Sequence, residues 1–180
     1  MLEREDGPVV IEDSPDDDPR AQPDPAWRPP LDPVAANGSV GALAGLLEAE
    51  IPRLQEAHQR WQGQHARSAV GLSGLSVADA GRYVADWLRG KGPPSPRDGY
   101  SVPLLLRFAI DDLKAYYLEA AAGGASKPSS HQLGDWLWNG TAAGAGLHAL
   151  REACLASDDE RLKLIAGNFI VPAARMRQAG

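Results

Sequence analysis

From Val40 onward, apolar side chains recur every three or four positions, the period of helices that bury one face. The first stripe is Val40, Leu43, Leu47, Ile51, Leu54, His58 and Trp61, with Asn37 or Ser39 placed to cap it. Pro52 falls on the opposite, polar face between Glu48 and Glu56, which predicts one helix kinked there or two helices meeting there. His58, set within the stripe, reads as a packed, hydrogen-bonded core residue. A Gly/Ser-rich loop spans 63–74. A second helix is expected from Ser76 to Arg89, burying Val77, Ala80, Val84, Trp87 and Leu88. Ser76 with Asp79 resembles a capping box, and Gly90 suits a left-handed C-terminal cap.

After a Pro/Gly loop over 91–100, the third predicted helix runs from a Ser101 cap to Gly123, with Pro103 tolerated in its first turn. Its broad apolar face includes Leu105, Leu106, Ile110, Leu113, Tyr116 and Tyr117. Leu104 and Phe108 lie on the far side, so its first half is apolar nearly all round and is expected at the centre of the bundle. Arg107, Asp111 and Lys114 form a surface ion-pair ladder. A fourth helix is expected from Ser129 or Ser130 to Ala156, bent at Gly140, where the apolar stripes before and after fall out of line. Gly140 and Gly144 point to close approach of a neighbouring helix. Ser157-Asp158-Asp159-Glu160 reads as a capping box opening a fifth helix, with Leu162, Ile165, Ala166 and Phe169 inward and Asn168 near its end. No alternating strand pattern or internal repeat is present. The pattern therefore predicts an all-α, single-domain bundle of five or six helices over 39–172, with a frayed C-terminus over 173–180.

Charge divides the chain. Residues 1–38 hold ten acids against three arginines and eight of the 15 prolines, whereas the remainder carries a net charge of only +1. Proline fixes φ and like charges repel, so 1–38 is expected to be a disordered, acidic leader. Trp27 in that leader either covers the body or is exposed. Val9-Val10-Ile11, followed by Glu12, Asp13 and the Asp16–Asp18 run, is a β-prone segment suited to adding a strand to a partner's sheet edge. It resembles the short SUMO-interacting motif, and the resemblance implies a partner contact through Val9, Val10 and Ile11. A nearly neutral body offers no field for polyanions, and acids at the start of the fifth helix would be repelled by phosphates, so no nucleic-acid partner is expected. The single cysteine, Cys154, sits in an apolar stripe and is expected to pack as a small hydrophobe in a reducing compartment. The chain start lacks a signal-peptide pattern, and the charge-free run from Trp136 to Leu150 is too short and too polar for a membrane span. A cytoplasmic protein is the expectation.

The chemistry-bearing residues are sparse. Gly-Lys-Gly at 90–92 has no preceding strand and the wrong spacing for a phosphate loop. No Glu-x-x-His pair supports a di-iron bundle, and no Gly-x-Ser-x-Gly elbow is present. The best polar-aromatic group is Asp112 and Tyr116 on the third helix, with His131, Asp135 and Trp138 on the fourth. If those faces met, a carboxylate, a histidine and a phenol would lie among aromatic walls, as acid–base chemistry and ligand binding both require. No cofactor and no metal are expected. The sequence favours a non-enzymatic interaction or regulatory module acting on a protein partner. A small helical enzyme or ligand-binding protein with a pocket between 101–122 and 130–156 stands second. A homodimer through the outer face of the fourth helix is a further expectation. Trp138 to Gly144 reads as a signature-like stretch with no function attached.

Overall fold

The computed structural model describes residues 22–34 and 39–176. Among these, every regular element is a helix, and they form a single-domain bundle: α1 (Val40–Gln64), α2 (Val77–Leu88), α3 (Val102–Ala122), α4 (Ser130–Gly140), α5 (Ala142–Leu155) and α6 (Glu160–Ile165). A π-helical turn, Ala166–Ile170, follows, and then the short α7 (Ala173–Met176). Val9, Val10 and Ile11 lie outside the described residues.

Local chemistry explains most boundaries. The side chains of Ser39, Ser76, Ser129 and Thr141 each accept a backbone N–H from the first turn they open. Ser76 and Asp79 close as expected, Ser76 Oγ accepting from Asp79 N at 3.1 Å and donating to Asp79 Oδ2 at 2.7 Å. Ser101 opens α3 without a side-chain capping bond. Gly90, just past α2, takes φ +73°, the left-handed value that glycine adopts without penalty.

α3 touches α1, α2, α4, α6 and the π-turn, and α5 touches α1, α2, α4, α6 and the π-turn, so the two share the centre. Leu105, Leu106, Ile110, Leu113 and Tyr117 are fully buried on α3. Each such side chain contributes about 1.5–3 kcal/mol before the entropy of ordering is subtracted.

Several expectations are corrected. Of the two alternatives expected at Pro52, the division into two helices is the one set aside: α1 runs as one helix of 25 residues with Pro52 inside it. Pro52 is exposed, and packing of α1 on α2, α3 and α5 holds the helix across the hydrogen bond that proline cannot make. The fourth predicted helix is two. Thr141 leaves the helix at φ −124°, ψ 154°, ends α4 and caps α5. Gly144 is the residue that needs closeness, because a Cβ there would meet Trp138 Cα at 2.8 Å and collide with the Leu137 carbonyl. The approach is therefore made by the end of α4 folding back, and Gly140 faces no second helix. The capping residue of α6 is Asp159, accepting from Arg161 N at 2.8 Å, rather than Ser157, whose hydroxyl accepts from Asp159 N. Phe169 is carried outward by the wider π-turn and is 38% exposed, with the Arg107 guanidinium 3.8 Å from its ring centroid. Leu104 is likewise exposed and Phe108 only half-buried, so α3 is not surrounded at its first turns.

The leader is not uniformly separate from the body. Over 22–34 it lies against α3 and α4: Trp27 Nε1 donates to the Ala121 carbonyl, Asp24 N–H donates to Gln132 Oε1, and Leu31 is buried. At the other end, α7 returns to α4 through an ion pair between Arg175 and Asp135.

Candidate functional site

The most informative polar groups are carboxylates inside the bundle. Glu50 on α1 is 2% exposed and accepts three hydrogen bonds, from Tyr117 Oη at 2.8 Å, Ala142 N at 2.8 Å and Ala143 N at 3.2 Å. It thus satisfies two donors at the start of α5. Burial raises its pKa above the usual carboxylate value, against the lowering effect of those hydrogen bonds. Burial and the facing carboxylate push the Tyr117 phenol well up.

Asp112 and Glu119, two turns apart on α3, hold the loop between α1 and α2. Asp112 accepts from the N–H groups of Gly71, Leu72 and Ser73 at 2.7–2.9 Å and from Ser73 Oγ at 2.5 Å. Glu119 accepts from Ser68 Oγ and Ala69 N, both at 2.7 Å, and its Oε2 lies 2.8 Å from His58 Nε2. With Glu119 ionised, Nε2 is the protonated ring nitrogen. The carboxylate stands between the serine and the histidine, so the order is not the serine–histidine–acid order of a catalytic triad. A nucleophile–base pair requires the histidine in that middle place.

The five residues singled out from the sequence do not assemble. Asp112 is enclosed by the 71–73 backbone. Tyr116 is buried and donates its hydroxyl to the Ile51 carbonyl at 2.8 Å, with its pKa pushed up to about 12 by burial. His131 is exposed at the start of α4, and Asp135 is exposed and paired with Arg175. Trp138 is buried instead of facing out beside His131, because α5 folds back and sets the His148 ring edge-on 5.6 Å from it. Three concavities of about 520–570 Å³ open on the surface; Trp138 lines one of them, between α4 and α5, and Tyr116 reaches another, between α1 and α2.

The one between α1 and α2 is a groove of about 520 Å³. Ile51, Val77, Ala78 and Tyr116 supply apolar wall, and the largely buried His58 also lines it. Along α1 stand Gln55, Gln59 and Gln62, all exposed, and none of their amides has a partner among the described residues. Glu48 and Arg82 mark the rim, and both are neutralised locally: Arg82 by Asp79 at 2.7 Å, and Glu48 by Arg89. Pro52 also lines the groove. Having no N–H, it leaves the Glu48 carbonyl without its partner one turn on.

The groove was legible in outline, since Gln55, Gln59 and Gln62 repeat at helical spacing beside the apolar stripe. What hid it was the crossing of α1 and α2, which no sequence period encodes. The buried carboxylates carried a signal that sequence reasoning missed: Glu50 falls on the apolar side of α1, and Glu119 adjoins the apolar face of α3.

Among the described residues, no group of three or more histidine, cysteine, aspartate or glutamate side chains is placed to hold a metal ion, and no helix is long and apolar enough to cross a membrane. Compared with known protein families, curated proteins and solved structures, the chain matches none.

Proposed function

We propose that the protein is a non-enzymatic binding module that holds its ligand in the groove between α1 and α2. One observation carries this reading: a concavity of about 520 Å³ sets unpartnered side-chain amides above an apolar floor. Ligand sites have this make-up, a few converging polar groups that fix orientation over a surface that gains by being covered. The internal carboxylates support the same reading from the other side. Glu50, Asp112 and Glu119 are each saturated by protein donors, so they hold the scaffold and are not offered to a substrate.

The test is a thermal-shift screen of the full chain against metabolites and short peptides, repeated with Ala78→Trp. Ala78 is exposed and lines the groove, so an indole there fills the concavity without entering the core. A ligand present at about 100 times its Kd stabilises the native state by about 2.7 kcal/mol. The expected outcome is a compound class that raises the melting temperature of the wild type and leaves the plugged variant unmoved. Compounds that shift both proteins equally would refute the assignment, as would a screen in which no compound shifts the wild type.

A further inference from the structure

We infer that the occupant of the groove is an uncharged, extended segment of another polypeptide, hydrogen-bonded along α1 through its backbone. This rests on the reading of the groove as a binding site and adds what it binds.

The argument starts from charge. The rim holds Glu48 and Arg82, and each already faces an opposite charge on the protein itself. An ionic ligand would find no uncompensated partner and would lose hydration on entering. The polar groups still available are neutral: the amides of Gln55, Gln59 and Gln62. A primary amide offers a donor and an acceptor side by side, the complement of a peptide unit.

Spacing then selects the shape. Residues four apart on a helix are separated by about 6 Å along its axis. An extended chain presents its backbone polar groups on one edge every second residue, about 6.6 Å apart. The step from Gln55 to Gln59 fits that repeat, and flexible glutamine side chains absorb the shorter step to Gln62. From Pro52 to Gln62 the axis advances about 15 Å, the length of four or five extended residues. With one edge of such a segment bonded to α1, alternate side chains point down onto Ile51, Val77 and Ala78, where small and aliphatic groups fit and charged ones do not.

The test uses the full chain, labelled with nitrogen-15, and the probe acetyl-Ala-Val-Ala-Val-Ala-amide. The side-chain amide signals of Gln55, Gln59 and Gln62 are followed by NMR, with maltose and adenosine as small polar comparisons. The expected result is that the peptide shifts these signals in the wild type and not in Ala78→Trp. Gln59→Ala, at an exposed position, weakens binding roughly five- to tenfold, the loss of one neutral hydrogen bond. N-methylation of alternate peptide nitrogens on one edge weakens it further, and replacing both valines with aspartate abolishes it. If maltose or adenosine shifts the groove signals and the peptide does not, the occupant is a small metabolite: the inference falls while the groove reading stands. If N-methylated and parent peptides bind alike, backbone recognition is refuted. If no probe moves these signals, the peptide inference fails, and if the wider screen is silent as well, so does the groove reading.

Discussion

Replacing Glu50 with alanine removes a buried acceptor on which three donors converge. The carboxylate removed is 2% exposed and receives Ala142 N–H, Ala143 N–H and the Tyr117 hydroxyl. None of these donors has another partner within reach of bulk water, and each buried donor left unpaired costs about 1–3 kcal/mol. A water drawn into the vacated space recovers part of that, so the loss expected from the three donors together is about 3–5 kcal/mol. Against a total stability of about 5–15 kcal/mol, that is a large fraction. For a chain of this length each kcal/mol moves the melting temperature by roughly 2–4 °C, so a fall of about 6–20 °C is expected by calorimetry. A second variant separates the polar effect from the cavity. In the alanine background, Tyr117→Phe removes one orphaned hydroxyl and should cost less than it does alone, giving a coupling of about 1–2 kcal/mol. The pH dependence has a definite sign. Burial raises the pKa of Glu50 above 4.5, so the folded state holds this proton where the unfolded chain has released it. The stability this confers is complete below about pH 4.5 and is lost as pH rises through the raised value. Glu50→Gln should remove that descending component. A Glu50→Ala loss below about 1 kcal/mol, with strictly additive behaviour alongside Tyr117→Phe, would refute the account of the α5 cap.

Asp112→Asn puts an amide donor where Ser73 N–H and Oγ now donate, so the 71–73 amides should exchange with deuterium at least about thirtyfold faster, with helical circular dichroism unchanged; unaltered exchange would show that the loop is held by something else. Gly144→Ala drives a methyl into the Leu137 carbonyl and the Trp138 backbone, and should cost about 1–3 kcal/mol in urea unfolding, whereas Gly124→Ala, where a Cβ meets nothing within 4 Å, should be near neutral. The Cys154 thiol is buried and its pKa is pushed up to about 11, so at pH 8 it should resist a disulfide reagent in the native protein and react at once in guanidinium. Labelling of the native protein at the free-thiol rate would place Cys154 at the surface.

The helical stripes were legible because apolar spacing is a one-dimensional record of burial. Leu47, Ile51 and Leu54, or Leu105, Ile110 and Leu113, are recovered from their period alone. The boundaries that escaped are those where two local chemistries compete. At Thr141 the side chain serves as a cap for the next helix, and that capping, together with Glu50 reaching Ala142 and Ala143, outweighs the continuity that Trp136 to Leu150 displays as a string. The same competition moved the start of α6 from Ser157 to Asp159, since either hydroxyl or carboxylate can cap and only the packing of Leu162 and Ile165 decides which does.

Polar residues on the buried side of a helix pose the harder problem, because sequence period ranks positions by hydrophobicity and says nothing about which acid will find donors. Asp112 was singled out for chemistry on account of its neighbours Tyr116 and, across the bundle, His131. Its oxygens are instead filled by the backbone of a loop forty residues earlier in the chain. That outcome follows a general constraint: a loop rich in glycine and serine carries many unpaired N–H groups, and burying its base requires an acceptor. Glu119 answers the same need for Ser68 and Ala69, and Glu50 answers it at the start of α5. Once these acids are assigned to irregular backbone, the glutamine amides that line the groove between α1 and α2 stand apart from them, because the fold does not use them.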